Sequence, residues 1–174
     1  MFAAQPYRLT ALRGLAALAL GGLAGCAMDR EADVRAQLDT WVELGATSYF
    51  QSTMECTAGV FATGSQYLSA PVQTVRSVRQ GLLLMGHDIA VAFDVSGQTP
   101  TLVSEAVMTA DLPKGLGVLS SGVAAKGCMD DTLTRSYLAA LHSDQAMLIF
   151  DPASNVMAVL DRAGERIFYA RGNI

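Results

Sequence analysis

The chain has 174 residues, 51% of them hydrophobic and 16% charged, with 12 basic residues against 16 acidic ones. Apolar content at that level argues against a disordered chain. A net charge of -4 without basic clusters argues against nucleic acid and against electrostatic binding to anionic lipid.

Residues 1–13, MFAAQPYRLTALR, hold Arg8 and Arg13 and no acid, and an apolar run follows from Gly14 to Gly25. The run is too short to span a bilayer, which needs about 20 residues at helical rise. A basic start, a short apolar middle and small residues at the end mark a secretory signal. A buried helix is the competing reading, but Gly21, Gly22 and Gly25 would each cost it about 1 kcal/mol relative to Ala.

The run ends in Leu23-Ala24-Gly25-Cys26, which resembles the lipobox of bacterial lipoproteins: Leu three places before Cys, then two small residues. The resemblance covers the leader alone. It implies removal of residues 1–25, a diacylglyceryl group on the Cys26 sulfur and an acylated amine on the new N-terminus. One acyl chain anchors only marginally, whereas two or three hold stably. In the Gram-negative members of that class the residue after the lipidated Cys governs sorting. Ala27 there, rather than Asp, implies the outer membrane; Asp29 two places on is a complication. The expectation is a lipid-anchored envelope protein facing the periplasm.

Residues 26–174 would then form one domain, long enough for a core, on a short tether. Loss of Arg8 and Arg13 leaves ten bases against 16 acids, a balance of -6, with Lys114 and Lys126 the only lysines. With Cys26 lipidated, Cys56 and Cys128 remain as a pair in an oxidising compartment, where a disulfide is the default. It would close a loop of about 73 residues and restrict the unfolded chain by roughly 4 kcal/mol. Two buried free thiols are the alternative.

Asp29 is a candidate N-cap, and Val34, Leu38, Trp41 and Val42 predict one face of a helix over 30–45. From Thr47 to Ala62 apolar and polar residues alternate, which predicts one long strand bent at Gly59, with Cys56 on its inner face. Gly64-Ser65 ends it. Ser69-Ala70-Pro71 predicts a helix start, with Val72, Val75, Val78, Leu82 and Met85 on one face and Gly86 as the stop. Asp88 to Val95 predicts a strand, and Ser96-Gly97 a turn. Thr99-Pro100 opens a further helix that reaches Ala110 and is broken by Asp111-Leu112-Pro113. The small, glycine-rich KGLGVLSSGVAAKG predicts a loose helix packed closely on a neighbour. Asp130 or Asp131 caps a helix carrying Leu133, Tyr137, Leu138 and Leu141. AMLIF, VMAVL and RIFYA, separated by DPASN and DRAGE, predict a three-stranded meander. The expected fold is α+β: an antiparallel sheet with a C-terminal β-meander, partly covered by helices.

No motif for chemistry completes itself. Cys128 with His142 would need an electropositive setting to yield a thiolate, and Asp130 and Asp131 oppose it. Ser120, Ser121 and Lys126 do not match the S-x-x-K spacing, and no G-x-S-x-G elbow exists. Gly115-Leu116-Gly117 starts a dinucleotide-type pattern that Ser120 fails to finish. Asp130-Asp131 suits a helix start better than a cation, and His87-Asp88 suits a turn. Met54, Met85, Met108, Met129, Met147 and Met157 are scattered as core filler rather than clustered for copper. The Cys pair lacks CxxC spacing, and only His87 and His142 could join it as metal ligands. Arg76 and Arg79 are too few for a phosphate patch. The expectation is therefore no metal, no cofactor and no catalytic residue: an accessory or binding module with an envelope protein partner. An envelope hydrolase whose site is assembled by the fold is the alternative.

Overall fold

The structure, a computed structural model, describes residues 28–172. The leader, the lipobox and Cys26 lie outside the described residues.

Helix α1 (Glu31–Asp39) leads into strands β1 (Leu44–Ser52) and β2 (Cys56–Thr63). Strand β3 (Gln73–Val75), helix α2 (Val78–Met85) and strand β4 (Val91–Phe93) follow. Three helices come next: α3 (Pro100–Ala110), α4 (Leu112–Ala124), continued by a 3-10 turn over Ala125–Cys128, and α5 (Asp131–Leu141). Strands β5 (Ala146–Asp151), β6 (Val156–Asp161) and β7 (Arg166–Gly172) complete the chain. The fold is α+β. All seven strands join one sheet in the order β1-β2-β7-β6-β5-β4-β3, antiparallel except for the β3–β4 pair.

The register builds two cores, one on each side of the sheet. Val75, Phe93, Leu148, Val159, Phe168 and Val60 stand side by side across six strands. That row is covered by α2, α3, α4 and α5, which contribute Met85, Val103, Val107, Val118 and Tyr137. On the opposite face Phe61, Ile167, Leu160, Met147 and Ile149 are covered by Val34, Leu38, Trp41 and Val42, and by Val72 from the crossover between β2 and β3. With both faces buried, the central strands are apolar throughout rather than alternating. β6 is buried at every position.

Several elements depart from the expectation. The long strand over 47–62 is a hairpin, because Thr53-Met54-Glu55 turns the chain and Ser52 then pairs with Thr57. No Gly, Pro or Asn marks that turn. Gly59 is not a bend; an added Cβ there would meet the Phe61 ring at 2.8 Å, so the close approach of that ring explains the glycine. The helix expected from Ser69 is a short strand, β3, followed by a shorter helix that Ser77 caps by accepting the Gln80 N–H. Val72 and Val75 fit its helical spacing but belong to crossover and strand. Only Val91–Phe93 of the strand over 88–95 pairs; Asp88, at a left-handed φ of 56°, lies in the turn that follows α2. Asp29 does not cap α1. Its carboxylate accepts from the Thr57 hydroxyl at 2.7 Å and from the Arg171 guanidinium at 2.6 Å. α3, α5 and the C-terminal meander form where the pattern placed them.

Candidate functional site

Helix α4 is built inside out. Its buried positions are Gly115, Val118, Ser121 and Gly122. Its large side chains, Leu112, Leu116, Leu119 and Val123, are 57, 50, 41 and 56% exposed. They recur at i, i+4, i+7 and i+11, one stripe of a helix. An ordinary surface helix does the reverse and points its leucines at the core.

The small residues let α4 approach its neighbours closely. A Cβ on Gly115 would sit 2.2 Å from the Met108 Cα of α3, and one on Gly122 would sit 2.6 Å from the Met157 sulfur of β6. Ser121, fully buried, places its hydroxyl 2.9 Å from the Asn155 carbonyl and 3.0 Å from that of Gly117, so its one proton always has an acceptor. Asp111 caps the helix by accepting the Lys114 N–H, and its other oxygen takes the Lys114 ammonium at 2.6 Å. That side-chain bond, with the backbone one, holds the Asp111 carboxyl below the usual carboxylate range.

Between α3, α4 and α5 lies a cavity of about 230 Å³. Its walls are apolar: Val118, Leu119 and Val123 of α4, Tyr137, Leu138 and Leu141 of α5, and Met157 beneath. Thr101 and Ser104 of α3 turn their hydroxyls to the Leu141 and Thr101 carbonyls, at 2.9 and 2.8 Å. Burial pushes the Tyr137 phenol far above its ordinary range, and among the described residues its hydroxyl has the Met157 sulfur, 3.7 Å away, as its partner. The cavity exceeds the roughly 150 Å³ that admits a benzene ring, so it has room for one compact apolar group. Lys126 and His142, both exposed, stand at its rim.

The candidates from the sequence are dispersed. Cys56 and Cys128 are joined, with Cα atoms 5.9 Å apart, under the 3-10 turn. Cys128 is therefore no thiolate beside His142. Ser120 donates to the Gly117 carbonyl at 3.1 Å, and Ser121 faces the β5–β6 turn, away from Lys126 at the rim. Asp130 caps α5 through the Leu133 N–H at 2.7 Å, and Asp131 occupies its first turn. His87 and Asp88 lie in the turn after α2. Met85, Met147 and Met157 are core, whereas Met54 is 70% exposed at the β1–β2 turn. Arg79 borders a groove between α2 and α3 with Leu82 and Leu83. Among the described residues no group of His, Cys, Asp and Glu could hold a metal ion, and no helix is long and apolar enough to cross a membrane.

The sequence reading missed the outward stripe. Its signal was present: large residues at 112, 116, 119 and 123, small ones at 115, 121 and 122. No protein-family model, no curated protein and no solved structure matches this chain.

Proposed function

We propose that the chain is a lipid-anchored envelope lipoprotein, tethered through Cys26 in the outer membrane, that acts as a binding module for an envelope partner. The observation that supports a binding role is the apolar cavity beneath α4, opening among exposed apolar side chains. Single exposed leucines need no explanation, but a clustered apolar surface with a hole in it is the usual form of a contact site. One apolar side chain of the partner fills the cavity, and Leu119, Val123 and Leu138 around the mouth exclude water from it.

Val123→Trp tests this reading. Val123 is exposed at the mouth, so the indole should cover the opening without entering the core. A photo-reactive residue at Leu138 should trap one recurring envelope protein in cells, and Val123→Trp should abolish that product. Tryptophan at Ala163, in the β6–β7 turn, should leave it intact. Trapping that is non-recurring, or unchanged by Val123→Trp, would rule the cavity out as the contact. Turnover of an ester or amide by the purified protein, lost on changing Ser120, Ser121 or His142 to Ala, would favour the hydrolase instead.

A further inference from the structure

The strand ends of the sheet show where the anchor lies. β2 begins, and β1, β5 and β7 end, at the same edge of the molecule: Cys56 pairs with Gly172, Ser52 with Thr57, and Asp151 with Val156. Asp29 is fixed there, on Thr57 and Arg171. Only Ala27 and Met28 lie between Cys26 and Asp29, a reach of about 11 Å fully extended.

Helix α4 lies at that same end, on the other face. Ser121 meets Asn155 of the β5–β6 turn, Gly122 meets Met157 at the start of β6, and Gly127 meets Cys56 at the start of β2. The helix and its 3-10 extension thus run across the strand ends, from the β5–β6 turn to the disulfide. Leu116, Leu119, Ser120 and Val123 share an open groove with Asn155, so the outward stripe borders the turn that projects at this end. Met54, at the tip of the β1–β2 turn, and Met28, beside the tether, are 70 and 57% exposed at this end too.

We infer that this end rests on the bilayer, with the α4 stripe and Met54 entering the interfacial layer beside the lipid anchor. The inference rests on the lipoprotein reading of Cys26. Its occupant is a lipid surface, because the chain that precedes Met28 must lead to the acyl groups within that short reach. A helix whose apolar stripe lies flat on the surface is a recognised mode of interfacial binding. The stripe carries no cation, Lys114 of α4 is held by Asp111, and the 3-10 extension adds a single exposed lysine, Lys126, too little charge to demand anionic lipid. Contact should therefore need no anionic lipid and should persist at high salt.

The test uses the full lipidated chain, purified from membranes and reconstituted on phosphatidylcholine vesicles. An environment-sensitive fluorophore is placed on Leu116→Cys, and on Ala163→Cys at the opposite end of the sheet. The Leu116 label should shift to the blue on vesicle binding and be quenched severalfold more by lipids with a quencher in the acyl chain than the Ala163 label. A Leu116 label that stays water-like while the protein floats with the vesicles would overturn the placement and leave the anchor standing. A chain whose Cys26 carries no acyl mass, and which does not float, would remove the anchor and the placement with it.

Discussion

Replacement of Gly115 by Ala sets two effects of opposite sign against each other. In an exposed helix the change gains about 1 kcal/mol of intrinsic propensity. Here the new methyl would lie 2.2 Å from the Met108 Cα, 2.5 Å from its Cβ and 2.7 Å from its backbone N. Carbon atoms rest at about 3.5–4.0 Å, so α3 and α4 must part by more than 1 Å or so. All three obstacles are backbone or Cβ atoms, and no rotamer change can relieve them. Overpacking of this kind costs typically 1–3 kcal/mol and sometimes more, and backbone contact puts it at the upper end. The net expectation is about 2 kcal/mol of lost stability, a factor of roughly 30 in the folded-to-unfolded ratio. Urea unfolding followed by the fluorescence of Trp41, the one tryptophan, buried at 4% exposure, reads it directly. Gly127→Ala is the control: its nearest atom is the Cys56 sulfur at 3.5 Å, an ordinary contact, so its effect should stay within about 0.5 kcal/mol. A Gly115→Ala protein as stable as the parent would refute the close packing of α4 on α3, and with it the reason its leucines face outward.

Removing the Cys56–Cys128 disulfide with two alanines frees a loop spanning 72 positions; the unfolded chain should gain entropy worth about 4 kcal/mol, seen as a lower urea midpoint. A loss under 1 kcal/mol would contradict the staple. Asp29→Ala removes both the Thr57 and Arg171 bonds, one of them charge-assisted, and should cost about 1–3 kcal/mol. Asp94→Ala, which breaks the half-buried pair with Arg162, should cost about 1 kcal/mol or less. For Tyr137 the sign follows from burial, which raises its pKa in the fold above the ordinary 10.0. Below pH 10.0 both folded and unfolded chains keep the phenol proton and stability is whole. Above it the unfolded chain releases a proton that the fold retains, so stability falls by up to about 1.4 kcal/mol per pH unit. Tyr137→Phe should be nearly neutral at pH 7 and lessen that alkaline fall, the share due to the likewise buried Tyr169 remaining, measured by unfolding at pH 9 to 11.

Elements with their own punctuation were legible in the chain. Thr99-Pro100 opens α3, Asp130 caps α5, and the Asp-Pro and Ala-Gly turns separate the last three strands. Elements decided by tertiary context were not. Thr53-Met54-Glu55 carries no turn residue, and alternation runs unbroken through it, so two strands read as one. Gln73–Val75 is too short to show a period of its own, and its valine fits the spacing of the helix that follows. The candidate site failed to show for a related reason. α4 has its large apolar residues on one side and its small ones, with Val118, on the other, and periodicity cannot tell which set faces inward. Gly115 and Gly122 resolve it only once Met108 and Met157 are seen against them.

The two faces of the sheet are unequal, and the inequality bears on where a partner could dock. On the α1 face polar groups close the surface: Arg35 donates to Thr47 and to the Gly45 carbonyl, and Gln37 to Asp151 and Ser154. None of the large exposed apolar side chains among the described residues lies on α1. On the other face they gather on α4, with Leu102 on α3 and Leu138 on α5 beside it. If α4 lies on the bilayer, the cavity on its inner flank opens at the membrane surface, and its mouth is half walled by the residues that touch lipid. A partner would then approach in the plane of the membrane, guided by its own anchor or transmembrane segment, rather than from the open periplasm. Val123→Trp would close that mouth without weakening the lipid contact, since it exchanges one apolar group for a larger one. Leu116→Asp would weaken the lipid contact and leave the mouth open. The two variants therefore separate partner binding from membrane placement. Loss of the partner with Val123→Trp alone would mean that the cavity, not proximity to the bilayer, provides the recognition.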